Sequence, residues 1–565
     1  MSDKDAYRLH PATVVEPLVN RFVAWSHVLA PVPYSLHLRH YQLSVLESYL
    51  KDPRVHVRAC QDPKLRSGPL VDIPAERAPE VAAFLAETKR TQADNLRLAD
   101  ELVEFHNRLV DEAQGQSLEP YYEQVPEGLR GYVELIYDYY NRPTVRCLEG
   151  MIYDSPYYDA GNQTVRLFRQ TTDDERPFFM STPRLPGGDG VEWNVPFAAA
   201  EIDELCRLDR TPQPLGRIRE MLGLTAADDA ALLPLLTTEP APAPRAAPAD
   251  DEVRVRYFGH ACVLIEWRGV SILTDPCVGV VPTSGGMERL SYADLPEHID
   301  YALVTHGHHD HFCMETLLRL RHRLGCLVVP RSYGLFYGDI SLKTMARRAG
   351  FKNVVEMDNL ESIALPDGEI VAVPFLGEHA DLPHSKSAYV VRAGRERMLF
   401  AADSDCLDAR LYEHLRRVVG PVQNVFIGME CVGAPLTWSC GSFLPRRPAY
   451  HLEQSRRYKG CDMERAWSLL EAVGAERLYI YAMGLEPWYE YLLGLALTDD
   501  SPQRVESSQL LRRAREVGFA DARLLYGTAE LLLKESEAAA PLAAAAAFAP
   551  AGQGAHAPED EFQFD

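Results

Sequence analysis

The residues with most chemistry in this chain are His306, His308, Asp310 and His311, spaced His-x-His-x-Asp-His after a short apolar run of Ala302, Leu303 and Val304. The run reads as a buried strand. In an extended loop successive side chains alternate, so His306 and His308 point to one side and can share a metal ion. The Asp310–His311 step then turns to a second ion. Imidazole together with carboxylate suits zinc, iron or manganese and does not suit calcium. A polar loop that merely faces water has no need of this spacing directly behind a strand. The expectation is a two-metal site, and four ligands do not complete one.

Other ligands must come from the ends of neighbouring strands. Residues 369–374 read as a strand whose following turn delivers Glu378, His379 and Asp381, and residues 398–401 as one that delivers Asp403 and Asp405. A loop carboxylate is more often a solvated cap than a ligand; what singles out Glu378 and Asp403 is the histidine loop they would join. Asp275, behind a strand at 270–274, is the candidate to orient a ligand histidine through a hydrogen bond, with a plain turn acid before Pro276 as the simpler reading. Glu430, behind a strand at 425–427, and Trp438 are candidates to line the pocket, with packing and solvation as the simpler account of both. His309 occupies an x position and should point away from the metals. His260 and His379 read as structural, and Cys313 and Cys431 as buried thiols without a catalytic part.

The elements that hold these residues change character along the chain. Residues 1–237 read as a mostly helical α+β region, with a long amphipathic helix at 79–112 that carries Leu98, Leu102, Phe105 and Leu109 on one face. A second helix is predicted at 126–141, stopping at Arg142-Pro143, and strand-like pieces at 164–171 and 190–195. The region carries no catalytic motif, and its many tyrosines fit packing or a partner surface. A Pro/Ala linker at 238–252 marks the clearest boundary. From 253 to 534 short strands alternate with helical patterns, including 314–324, 341–349 and 462–473, in an α/β domain with more strands than a simple doubly wound sheet needs. Residues 535–565, Ala-rich and then acidic, read as a disordered tail.

Bulk properties narrow the class. A chain of 565 residues with 46% hydrophobic and 25% charged residues has room for two or more ordinary globular domains. A net charge of −23 argues against nucleic acid or an anionic membrane surface as the main partner. The first ten residues are polar and charged, no apolar run is long enough to span a bilayer, and eleven cysteines lie scattered without a framework spacing. A cytoplasmic protein with free thiols is expected.

The histidine loop, the early Phe258-Gly-His-Ala-Cys, the Thr274-Asp275-Pro276 turn and the strand-end Asp403 together resemble the metallo-β-lactamase superfamily over roughly residues 253–527. That resemblance implies an αββα sandwich with two metals at one edge. The departures from its hydrolases are informative. Those enzymes place a histidine where this sequence has Gly377-Glu378, and add a last one near the end of the fold. After Asp403 only His414, His451 and His556 remain, in a helical stretch, a polar Arg/Pro-rich loop and the tail. His306, His308 and Glu378 form a two-histidine, one-carboxylate set, the composition of oxygen-activating non-haem iron sites.

The same segments, 305–312, 377–382 with Ser385-Lys386, and 402–405, resemble the diiron β-hydroxylases of nonribosomal peptide biosynthesis, as does the long N-terminal region. The resemblance implies that His306, His308 and Glu378 hold one iron, Asp310 and His311 the other, and that Asp403 bridges. It implies two Fe ions as cofactor and O2 as cosubstrate. It also implies hydroxylation at Cβ of an amino acid held as a thioester on a peptidyl carrier domain, electrons from an external donor, and a homodimer formed through the N-terminal domain. The alternatives are a zinc-dependent hydrolase of the same fold and a silent scaffold. The residue at position 378 separates the first, and six intact ligand candidates count against the second.

Overall fold

The computed structural model describes residues 6–243, 245–334, 337–377, 385–494 and 497–534. The tail and His556 lie outside them, as do Glu378, His379 and Asp381.

The C-terminal half is built on two seven-stranded sheets. In the first, the order is Val354–Met357, Leu324–Pro330, Ile299–Leu303, Val270–Thr274, Cys262–Trp267, Glu252–Gly259 and Ala529–Lys534. The second runs Ser362–Leu365, Gly368–Val373, Ala388–Ala393, Glu396–Phe400, Asn424–Ile427, Arg477–Ile480 and Asp521–Leu524. Each sheet has the same plan, antiparallel strands on one side passing into parallel strands on the other. Parallel strands need crossovers, which here include the helices Met314–Leu320, Ala409–Val419, Met463–Val473 and Pro502–Glu516. The central strands, such as Glu396–Phe400 and Asn424–Ile427, are buried on both faces, and runs of this kind read as continuously apolar. Along Glu396–Phe400, Met398 and Phe400 pack between the sheets with Tyr389, Phe426 and Tyr479. Leu399 faces the opposite way, towards Leu469, Leu470 and Leu510 on the covering helices. The result is the expected αββα sandwich.

The N-terminal half is α+β and richer in strands than its composition predicts. It holds a four-stranded sheet, Phe22–Val23, Thr13–Val19, Gln163–Arg169 and Val191–Asn194, with helices and smaller sheets around it. Two expectations fail here. The helix predicted at 126–141 is a hairpin, Val133–Tyr137 on Pro143–Cys147, closed through a turn with Asn141 at φ 57°. In that strand Val133 and Leu135 are buried and Glu134 is not, a period of two that a window broadened by Leu129 and Tyr132 disguises as helical. The helix expected over 79–112 is two, Ala78–Thr91 and Ala93–Glu112. The break falls at Gln92, whose buried amide donates to Asn162 at 3.0 Å and accepts from Tyr34 at 3.2 Å.

The two halves share one core. Trp25, Phe179, Phe197 and Ile202 from the first belong to the same apolar cluster as Val304, Phe312, Leu317 and Phe443 from the second. Buried ions cross the same interface. Arg176 grips Glu16 at 2.8 Å and Glu315, on the helix behind the histidine loop, at 2.7 Å, while Arg319 reaches Asp209 at 2.6 Å. The N-terminal half thus braces the loop that carries the candidate ligands.

Candidate metal centre

The ligand candidates sit where the two sheets present the C-terminal ends of adjacent strands. Val304 and Thr305 extend the strand Ile299–Leu303, and His306 pairs across a single bridge with Lys386. After His308 the loop turns, at the Asp310–His311 step where the sequence predicts it. The His308 carbonyl accepts from His311 N–H at 3.1 Å and from Phe312 N–H at 2.7 Å. This turn swings Asp310 and His311 round to face His306. The His306 and His311 rings lie 4.2 Å apart, and His308 stands 4.6 Å from His306. The N-terminal half shores the loop from behind. His309 points away, its Nε2 2.8 Å from the Leu492 carbonyl and its ring 4.1 Å from that of Phe179, and the Ser26 hydroxyl donates to the Gly307 carbonyl.

Asp403 arrives from the second sheet, behind Glu396–Phe400, through Ala402 at φ 46°. A side chain at that φ is strained, and the Tyr481 hydroxyl holds the turn by accepting from Ala402 N–H at 3.0 Å. Gly428 lets the adjacent strand end approach, since an added Cβ there would lie 2.8 Å from the Ala402 carbonyl oxygen. One Asp403 oxygen, Oδ2, then lies 3.0 Å from His311 Nε2 and 3.6 Å from His306 Nε2. Asp310 Oδ2 is 3.5 Å from His311 Nε2 and 3.0 Å from His260 Nε2.

Two sets of buried donor atoms therefore converge, His306, His311 and Asp403, and His260, Asp310 and His311, each within 4.8 Å. His260, taken as structural from sequence, is a member of the cluster. Its signal was present in Phe258-Gly-His-Ala-Cys: a tight turn between Glu252–Gly259 and Cys262–Trp267 holds it at φ 48°. Asp405, delivered by the same turn as Asp403, is instead paired with Arg465 at 2.6 Å.

Asp275, fully buried at φ 36°, ties the two halves of the loop together. It accepts from Thr305 N–H at 2.7 Å and from the Thr305 hydroxyl at 2.8 Å, and lies 2.9 Å from His311 Nδ1. With Nδ1 occupied, His311 Nε2 is free to ligate. The electrostatics agree. Burial alone would depress His311, yet Asp403, Asp310 and Asp275 carry it well above the ordinary imidazole value. Burial would raise Asp310, yet His311, His309 and His260 hold it well below the carboxylate range. His311 Nε2 is buried without a hydrogen-bond partner and points at two carboxylate oxygens. A divalent cation fits this donor set better than a proton does.

The walls are in part unforeseen. Phe375 stands 5.5 Å from His306 and Tyr458 stands 5.4 Å, edge-on, from His308, ring to ring. Lys386 donates to the Gly377 carbonyl at 2.7 Å, fixing the chain one residue ahead of Glu378. Glu430, a predicted pocket residue, accepts from Gly433 N–H and from Gln503, each at 2.8 Å, and Trp438 lies 44% exposed on the surface. Cys313 is buried, and all eleven cysteines are free thiols.

A family described as the diiron non-heme β-hydroxylase N-terminal domain matches residues 8–240, and a β-lactamase superfamily domain matches residues 254–383. The chain is 36% identical over 528 residues, 92% of its own length and 98% of the relative's, to the 4-amino-L-phenylalanyl-[CmlP-peptidyl-carrier-protein] 3-hydroxylase of Streptomyces venezuelae. The crystal structure of CmlA, a diiron β-hydroxylase from the same organism, superposes with a TM-score of 0.87 at 34% identity, covering 94% of this chain and 100% of that one. A Glu-to-Asp variant of CmlA superposes with a TM-score of 0.83, covering 93% of this chain and 100% of that one. A metal-dependent hydrolase of Methanopyrus kandleri is 30% identical over only 124 residues, 22% of this chain and 46% of the relative.

Proposed function

The chain belongs to the diiron non-haem β-hydroxylases, and from that premise we propose that it hydroxylates Cβ of an amino acid tethered as a thioester to a peptidyl carrier domain of a nonribosomal peptide synthetase. One atom of O2 enters the Cβ–H bond, and the other leaves as water with two electrons from an external donor and two protons. The match along nearly the whole chain, N-terminal half included, is to a hydroxylase, whereas the match to the Methanopyrus hydrolase covers 22% of the chain.

The ligand set follows. In this proposal His306, His308 and Glu378 would hold one iron, Asp310 and His311 would hold the second, and Asp403 would be shared between them. The observation that carries this reading is the position of Asp403 Oδ2, one buried carboxylate oxygen within reach of both His311 Nε2 and His306 Nε2, which the reading assigns to different ions. When bound, the iron pair supplies the redox equivalents and open coordination positions that O2 activation requires. The chain's own residues do the rest. Asp275 holds His311 with its proton on Nδ1. Phe375 and Tyr458 wall the cluster with rings that keep water from it. Thr305, tied to Asp275, fixes the distance between the first histidine and the last.

We further assign the enzyme to a reducing cytoplasm, on its eleven free thiols, and to a homodimer through its N-terminal half, where Tyr139 and Tyr140 stand fully or largely exposed at a hairpin tip. Among the described residues no helix is long and apolar enough to cross a membrane. The test of the activity is mass spectrometry of candidate aminoacyl carrier domains after reaction with reduced enzyme and O2. Gain of one oxygen on a still-tethered aminoacyl group is the expected result. Release of the amino acid by hydrolysis, with no oxygen gained, would overturn the assignment.

A further inference from the structure

Between the strand Asn424–Ile427 and the helix Met463–Val473 the chain makes a long excursion over the metal centre. Its inner side forms part of the wall. Tyr458 meets His308 edge-on and its hydroxyl donates to the Leu436 carbonyl at 2.9 Å. Gly460 passes so close to Asp403 that an added Cβ would lie 3.1 Å from the Asp403 carbonyl oxygen.

The outer side has a composition unlike that of the whole chain. Residues 431–461 hold Arg446, Arg447, Arg456, Arg457 and Lys459 against a single acid, Glu453, in a chain of net charge −23. Arg446 is paired with Asp111 at 2.6 Å. Arg457 donates to the carbonyls of Val432 and Gly433 at 3.1 and 2.9 Å, bonds that fix the guanidinium without neutralising it. Among the described residues neither Arg447 nor Lys459 has a carboxylate partner. Around these charges Tyr450 is 76%, Leu452 54% and Trp438 44% exposed. Exposed Trp and Tyr among arginines make up the residue mix that dominates binding energy at protein interfaces.

We propose that this outer face is the landing surface for the carrier domain, with Arg447, Arg457 and Lys459 receiving the phosphodiester of its phosphopantetheine arm and the acidic side chains around it, and Trp438, Tyr450 and Leu452 covering its apolar contact. The inference rests on the reading that substrate arrives on a carrier. Charge complementarity selects the occupant: a phosphodiester carries a fixed negative charge, and arginine and lysine are the groups that bind it. Position supports the same choice. A tethered amino acid must travel from a surface anchor to the metals, and this one segment supplies both a basic surface and the residue that stands against His308.

The test uses the iron-loaded full chain and an aminoacylated carrier domain, with affinity measured by titration calorimetry at rising salt. Arg447→Glu/Lys459→Glu should weaken binding at least about tenfold, ~1.4 kcal/mol, flatten its salt dependence and raise KM for the carrier. Iron content, circular dichroism and kcat at saturating carrier should not change. Trp438→Ala should weaken binding without altering the salt dependence. Arg90→Glu, on the exposed face of Ala78–Thr91, serves as a control of equal charge sign. An unchanged affinity in the double variant, an equal loss in the control, or a change in oligomeric state in place of carrier affinity would overturn the docking assignment. Failure of the parent enzyme to oxidise any carrier-bound amino acid would instead overturn the activity on which it rests.

Discussion

Asp275→Asn is the sharpest test of how the site is held. The parent carboxylate faces three donors with two acceptor oxygens: Oδ1 takes the Thr305 N–H at 2.7 Å, while Oδ2 takes the Thr305 hydroxyl at 2.8 Å and faces His311 Nδ1 at 2.9 Å. An asparagine has one acceptor. The Thr305 N–H is a fixed backbone donor, so the amide oxygen goes to it, and the amide NH2 is left facing His311 Nδ1. Two donors cannot share that contact. The imidazole must then move its proton to Nε2, the atom that points at Asp403 and Asp310, or leave a buried N–H unsatisfied. Either course costs about 1–3 kcal/mol, the scale of the ~10- to 100-fold loss in metal affinity that follows removal of such partners. Loss of one negative charge beside two cations acts in the same direction. The assay is competition between the enzyme and a graded ferrous chelator, read as iron retained per chain, with circular dichroism confirming the fold. D275N should surrender its iron at roughly tenfold or more lower chelator strength. If the folded variant keeps both ions as tightly as the parent, Asp275 serves only the Thr305 turn and does not hold His311 for metal binding.

Two further outcomes follow from the same geometry. Burial alone would raise the Glu16 carboxyl, but Arg184, Arg176 and Arg166 bring it down to about 2. Its folded value lies below the unfolded one, so its contribution is full above about pH 4.5 and is lost as pH falls towards 2. Glu16→Gln should therefore cost about 3–5 kcal/mol in urea unfolding at pH 7, where it strips buried arginines of a partner, and the gap from the parent should narrow below pH 4.5; a constant gap would refute the ion-pair account. Glu378→His should abolish hydroxylation and shift metal preference from iron towards zinc, read by metal analysis; full activity with iron retained would remove position 378 from the ligand set.

Much of the candidate site was legible because its candidate ligands obey local rules. His306 to His311 follow an apolar strand, Asp275 and Asp403 close the turns behind two others, and each signal sits within a dozen residues. Most strands of the sandwich could be read for the same reason. The failures share a cause as well. The hairpin at Val133–Tyr137 and Pro143–Cys147 depends on a partner strand, and apolar spacing alone did not separate it from a helix. The edge strand Ser362–Leu365 has little burial to mark it, and Ala529–Lys534 owes its place to pairing with Glu252–Gly259, nearly the length of the domain away.

The sequence by itself determined that strand ends carry imidazole and carboxylate in a two-metal pattern, since backbone alternation and ligand chemistry act over a few residues. The tertiary structure decided how those residues meet. It curled the loop after His308, drew His260 into the cluster and assigned Asp405 to Arg465. It also set Phe179, from the other half of the chain, behind His309, and Tyr458 in front of His308. These contacts join residues from different sheets and from both halves of the molecule, and only packing of one shared core brings them within reach.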